Sequence, residues 1–221
     1  MRTIVISDCH GSPWLVSNAL KQSEYQKESD RLVFAGDFMD IGDSPEACWQ
    51  LLEEEGAELL WGNHEVAIVI RQYVGPQDPY SWTLREDLIK KQKDFKIATS
   101  ADNILITHAG LSEVWGAPIQ ANLQERGLEL TAQNFADVLN SNPLPDIWDN
   151  TSPLWYRPSK YIDPYPRFVQ VCGHTPPESI PEQIDYYSVD PYSRKGFGKN
   201  RYRYALIEDE KVKIFDSNVK D

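Results

Sequence analysis

Histidine and cysteine are scarce in this chain, with four and three copies among 221 residues. Cys9, Cys48 and Cys172 are odd in number and show no CxxC spacing. That pattern argues against a disulfide framework or a cysteine-rich zinc site, and suits reduced thiols in a cytosol. Apolar runs are short. None reaches the ~18 residues that a membrane-spanning helix needs. Basic residues are outnumbered, with 22 Lys and Arg against 34 Asp and Glu, for a formal charge of -12. Nucleic acid and anionic membranes are therefore poor partners. A small phosphorylated substrate stays open, because bound metal ions reverse the local sign. Met1 to Asp8 runs straight into a strand-like segment, without the apolar core and cleavage site of a signal peptide. We expect a cytoplasmic protein. Without repeats, low-complexity tracts or a clean linker, residues 1–221 read as one domain.

What histidine there is falls in short motifs: Asp8-Cys9-His10-Gly11, Gly62-Asn63-His64-Glu65, Thr107-His108-Ala109-Gly110 and Gly173-His174-Thr175. Gly36-Asp37-Phe38-Met39-Asp40 is a fifth motif of the same kind. Each follows a short aliphatic or β-branched run. The first half alternates strands at 3–7, 31–35 and 57–61 with helices at 13–21, 45–55 and 65–73. Such alternation indicates an α/β fold with a parallel sheet. The motifs then gather at strand C-terminal ends, where open α/β sheets bind ligands.

Further on, 82–93 reads as a helix, and 96–98 and 104–107 as strands. Residues 111–139 read as mostly helical, broken at Gly116-Ala117-Pro118 and Gly127, and 111–150 as a helical cap over the site. Ten of the fifteen prolines lie between Pro143 and Pro191, so that stretch is loop-rich. Strands are expected at 167–172, 186–189, 202–207 and 212–215, the late ones forming a second, antiparallel layer.

Asp, His and Asn at several strand ends can hold two divalent ions. One ion would take Asp8, His10 and Asp37. The other would take Asp37, Asn63, His108 and His174. Mixed nitrogen and oxygen ligands suit Mn first, with Fe or Zn as alternatives. Two divalent ions against two carboxylates leave a site of about +2, which matches a phosphate dianion. Such a pair can acidify a bridging water and clamp both oxygens of an in-line displacement. His64 is left over as a general acid for the leaving alkoxide, with Asp40 to orient it and favour its charged form.

Taken together, these motifs resemble the calcineurin-type metallophosphoesterases, and within them the phosphoprotein phosphatase group. That group includes Ser/Thr protein phosphatases and diadenosine tetraphosphatases. The matching stretches are Ser7 to Gly11, Gly36 to Gly42, Gly62 to Glu65, His108 to Gly110 and Gly173-His174. Asp190 resembles an aspartate that follows the last His motif. The resemblance implies a sandwich of two mixed β-sheets flanked by helices, with a dinuclear metal centre and the ligand and acid roles just given. It implies a phosphoprotein phosphatase, with a dinucleoside polyphosphate or other nucleotide hydrolase as the alternative and an inactive binding module as a third reading.

Two departures bear on substrate. The family's phosphate-binding Arg is Ile41 here, and the Arg before Gly-Asn-His-Glu is Trp61. Arg157 is the candidate replacement, because guanidinium grips phosphate with two donors; Arg71 is a weaker one. Trp115 and Trp155 read either as packing or as the lining of a pocket for a base or an aromatic phosphoresidue. The one basic run, Arg194 to Arg203, reads either as a solvated hairpin loop or as an arm for acidic substrate groups.

Overall fold

The computed structural model describes residues 1–159, 161–180, 185–192 and 202–217. Strands β1 (Thr3–Ile6), β2 (Arg31–Phe34) and β3 (Glu58–Leu59) alternate with helices α1 (Pro13–Gln22), α2 (Pro45–Glu54) and α3 (Asn63–Ile70). Serine followed by proline starts both α1 and α2, at Ser12-Pro13 and Ser44-Pro45. Proline's fixed φ suits the first helical turn, where its missing N–H costs nothing.

The short helices α4 (Pro79–Thr83) and α5 (Arg85–Lys91) follow, then strands β4 (Ala98–Ala101) and β5 (Ile104–Thr107). Helices α6 (Glu113–Glu125) and α7 (Ala132–Ser141) precede β6 (Gln170–Cys172), β7 (Tyr186–Ser188), β8 (Arg203–Glu208) and β9 (Lys211–Asp216).

These strands make two mixed sheets. One runs β3-β2-β1-β8-β9, the other β4-β5-β6-β7. Strands β1, β2 and β3 are mutually parallel, as are β5, β6 and β7. Side-chain alternation explains why two sheets pack face to face. Val5 and Val33 join Ile106, Val171 and Ala205 in one buried cluster between the sheets. Their neighbours Ile4, Ile6, Leu32 and Phe34 join the helices in another. The flanking helices therefore cover the outer faces, with α7 packed on β4 and β5.

Four expectations shift. The helix expected at 82–93 is two pieces joined at Leu84, and it starts earlier because Asp78 caps α4 through Tyr80 N–H. The strand expected at 96–98 begins at Ala98, where Asn140 Oδ1 of α7 accepts the N–H groups of Ile97 and Ala98. Gly116-Ala117-Pro118 does not break α6. Gly116 is there for close approach, since a Cβ would overlap the Tyr165 ring, and the helix ends instead with Gly127 at φ +66. The late strands do not form one antiparallel layer. β7 joins the second sheet in parallel, while the β8–β9 hairpin returns to the first and pairs antiparallel with β1, Thr3 opposite Ile207.

Among the described residues no helix is long and apolar enough to cross a membrane.

Candidate metal centre

Six strand ends meet at one place. Asp8 and His10 follow β1, Asp37 follows β2, Asn63 follows β3, His108 follows β5, His174 follows β6 and Asp190 follows β7. The turns that do this are tight. Asp8, His10, Asp37, Asp40, Ile41 and His174 all have φ between +38 and +65°. Non-glycine residues adopt this region at some cost, and sites of function concentrate it. The glycines beside them permit contact. A Cβ on Gly173 would overlap Asp8 Oδ2, and one on Gly62 would overlap Asp37 Oδ1.

Asp37 is central. Its Oδ2 lies 3.7 Å from His10 Nε2, 3.5 Å from His108 Nε2 and 4.0 Å from His64 Nε2. Asp8 Oδ1 is 3.9 Å from His10 Nε2, while Asp8 Oδ2 accepts the N–H of His174 at 2.9 Å. Two groups offer converging metal-ligating atoms: His10, Asp37 and His64, and Asp37, His108 and His174. The structure thus brings together all eight residues expected at the centre. It also places His64 near enough to Asp37 to compete with Asp8 for the first group. The ring of His64 differs from those of His10 and His108 in what lies behind it, a carboxylate rather than a backbone carbonyl. His64 Nδ1 is 2.7 Å from Asp40 Oδ2.

The donor set fits a cation. Backbone carbonyls can only accept, so His10 Nδ1 at 2.8 Å from Met39 O and His108 Nδ1 at 2.7 Å from Ala35 O each carry the proton. In the neutral rings Nε2 is then a lone pair facing the Asp37 carboxylate. His108 Nε2 also lies 2.9 Å from Asn63 Oδ1, again acceptor to acceptor. His174 Nε2 is buried without a hydrogen-bond partner. Acceptors converging without donors are what a bound cation resolves.

Electrostatics agree. Burial lowers His10 to about 4, although Asp37 opposes it. Burial also lowers His108 and, with help from Arg157, His174. These three imidazoles are neutral at pH 7 and free to bind metal. His64 goes the other way, to about 9: burial opposes its charge, but Asp37 and the Asp40 hydrogen bond prevail. Asp8 is pushed up by burial and by Asp190 and Asp37, a crowding of carboxylates that positive charge relieves.

Asp40 is itself fixed from the α4 side, where its N–H donates to Ser81 Oγ at 2.9 Å and its Oδ1 accepts Asp78 N–H at 3.2 Å.

Glu65 is the functional residue that sequence reasoning passed over. Fully buried, it accepts four backbone N–H groups: Asp37 and Gly62 on Oε2, Phe38 and Met39 on Oε1, at 2.8–3.0 Å. It fastens the Asp37 turn to the start of α3. A signal existed, because Glu at the third helical position after Gly62 is the reaching-back half of a capping box. Tyr192 was also unforeseen, with its ring edge-on to His10 at 5.0 Å.

The substrate candidates sort as follows. Arg157 is exposed beside the centre, its Nη1 donating to His174 O at 2.9 Å and Thr175 Oγ1 at 3.1 Å. Arg71 closes α3 in the left-handed conformation. Ile41 is 41% exposed, and Trp61 is turned into the core against Phe95 at 4.6 Å. Trp115 packs on the main core, with its indole N–H bonded to Asp149 Oδ2 at 2.9 Å. Trp155 instead lies 5.3 Å from the His174 ring. Of the basic run, residues 194–201 lie outside the described residues; Arg203 is paired with Asp216.

The model of the calcineurin-like phosphoesterase family matches residues 1–215, and the chain belongs to that family. The match and the two His/Asp groups make it a metal-dependent phosphoester hydrolase. No curated protein sequence matches the chain. Among solved structures it is similar to a cold-active protein-tyrosine phosphatase of a psychrophilic Shewanella species, with 19% identity and a TM-score of 0.64 over 97% of this chain and 80% of that one. A protein serine/threonine phosphatase from Saccharomyces cerevisiae matches at 17% identity and a TM-score of 0.63, over 100% of this chain and 81% of that one. A putative diadenosine tetraphosphatase matches at 18% identity and 0.50, over 97% and 93%. At these identities the likeness is one of fold.

Proposed function

We propose that this chain, as a single domain, is a dinuclear phosphomonoesterase acting on phosphoproteins in the cytoplasm. Asp8, His10 and Asp37 would hold one ion, and Asp37, Asn63, His108 and His174 the other. Mn is the first choice, with Fe or Zn as alternatives. The observation that carries the reading is the His64–Asp40 pair at 2.7 Å, set beside Asp37. A charged imidazole next to a group of neutral ones is an acid kept apart from ligands.

Bound divalent ions would supply acidification of a water and a clamp on phosphate oxygens. The chain's own residues do the rest. His64, protonated, donates from Nε2 to the departing ester oxygen, while its Nδ1–H stays on Asp40. Arg157 is exposed at the rim, and its nitrogens not used on His174 O can meet a phosphate oxygen. Glu65 keeps the Asp37 turn from relaxing.

Phosphopeptide and p-nitrophenyl phosphate hydrolysis with Mn²⁺, with and without chelator, tests this reading. Turnover that a chelator abolishes is expected; no turnover, or turnover indifferent to chelator, overturns it. Asp37→Asn should lose both bound metal and rate, because both ligand sets share that carboxylate. Full metal content in that variant would contradict the ligand assignment. Release of ADP from diadenosine tetraphosphate, far faster than phosphate from peptides, would move the substrate to the nucleotide reading, which the Trp155 ring beside His174 favours.

A further inference from the structure

Trp148 is 55% exposed. Exposure alone is ordinary for a surface aromatic; what sets Trp148 apart is a braced loop and a ring that leads into the site. Its loop is well braced. Trp148 N–H donates to Asp146 Oδ1 at 2.9 Å, and Asp149 N–H to Asp146 O at 3.1 Å. Asp149 Oδ1 accepts the N–H of Thr151 at 2.8 Å and its hydroxyl at 2.6 Å, while Oδ2 takes the Trp115 indole N–H. The ring then leans on Trp155, centroids 5.9 Å apart and planes inclined at 52°. Trp155 in turn meets His174 at 5.3 Å and 54°. An aromatic strip therefore runs from solvent to a candidate metal ligand, with the exposed Arg157 beside its inner end.

We propose that Trp148 and Trp155 form a subsite for a planar aromatic group carried on the substrate's phosphate ester. The proposal rests on the phosphoesterase reading and narrows its substrate class. With phosphate at the His/Asp groups and its ester oxygen at His64 Nε2, a substituent turned towards His174 would pass Trp155 and reach Trp148 next. A short aliphatic substituent, as on phosphoserine, would leave Trp148 uncovered. A ring would cover it, and indole faces hold rings by offset or edge contacts as well as by area. Two sources share this chemistry: an aryl ester, whose ring is close to the phosphorus, and a nucleotide, whose base stands off by a ribose.

The test is binding, measured by calorimetry on metal-loaded protein. Benzylphosphonate is compared with butylphosphonate, and AMP with ribose 5-phosphate. An affinity ratio of about tenfold in favour of the aromatic member is expected in at least one pair, in line with base-on-aromatic stacking. The ratio should fall towards one in Trp148→Ala and survive in Trp148→Phe. Discrimination in the first pair alone identifies the aryl ester, and in the second alone the base. Equal affinities in both pairs, a ratio that Trp148→Ala leaves intact, or no binding of any of the four would overturn the proposal. Trp155→Leu, checked for an unchanged thermal unfolding midpoint, should lower the same ratio. Hydrolysis of p-nitrophenyl phosphate by the same sample tests the phosphoesterase reading separately, so loss of one does not conceal loss of the other.

Discussion

His64 and His108 both face Asp37 Oδ2, at 4.0 and 3.5 Å, and they are held in opposite states. His108 rests its Nδ1 on a backbone carbonyl, is wholly buried at the end of β5 and is driven neutral by burial. His64 sits at the start of α3, rests its Nδ1 on the Asp40 carboxylate and is pushed up to about 9. What differs is the group behind each ring. A carbonyl fixes the tautomer of a neutral imidazole, and a carboxylate stabilises an imidazolium. Two histidines facing one carboxylate are thus biased in opposite directions without any difference in residue type, the usual way that paired titratable groups are prepared for separate roles.

His64→Asn should break this comparison hardest. Loss of the general acid is expected to lower kcat by roughly 10²–10⁴ while metal content stays at the wild-type value. Metal lost along with rate would make His64 a ligand, as its place in the group with His10 and Asp37 permits.

Glu65→Gln should act on both sides more gently. The amide turns a donor towards part of the four backbone N–H groups that Glu65 now accepts. Each N–H left unmatched costs about 1–3 kcal/mol, and metal affinity should drop about 10- to 100-fold as the Asp37 turn loosens. Thermal unfolding and a metal-buffer titration read the two effects. Unchanged metal affinity in a destabilised variant would leave Glu65 a role in folding alone.

Asp40→Asn gives the smallest and most selective change. In chelator-treated protein, imidazole proton shifts followed by NMR should place His64 near 9 and His10 near 4. Removing the Asp40 charge should bring His64 down towards ~6.5, the ordinary imidazole value, and leave His10 low. The sign for stability follows. A histidine whose folded value is raised contributes fully below ~6.5, and that contribution fades as pH rises through about 9. The variant should lose stability chiefly on the acid side of that window. A His64 value that stays near 9 would assign its charge to Asp37 alone.

Much of this was legible in the chain. The β1–α1–β2–α2 alternation follows from short aliphatic runs and Ser-Pro starts, which are local properties. Asp8, His10, Asp37, Asn63, His108 and His174 could be named because strand ends in a parallel sheet point the same way. Residues whose role depends on distant partners were less legible. Gly116 looked like a helix breaker until Tyr165 packed against it. The start of β4 waited on Asn140 of α7. Trp115 and Trp155 were equivalent in sequence, and only their partners, Asp149 and His174, separate them.

The sequence by itself pointed to the family and to the candidate ligands, because its motifs depend on residue type and short-range spacing; the two-sheet sandwich followed only from that resemblance. The sequence also pointed to His64 with Asp40 as the charged pair. Tertiary structure supplied what lies behind each ring, a carboxylate at His64 Nδ1 and backbone carbonyls at His10 and His108. It also decided that a buried Glu65 secures Asp37 through four backbone donors, and that exposed Trp148 continues an aromatic strip to His174. Charge state and shape at a site are set by what comes within a few ångströms in space, and the chain brings those groups from positions up to 166 residues apart.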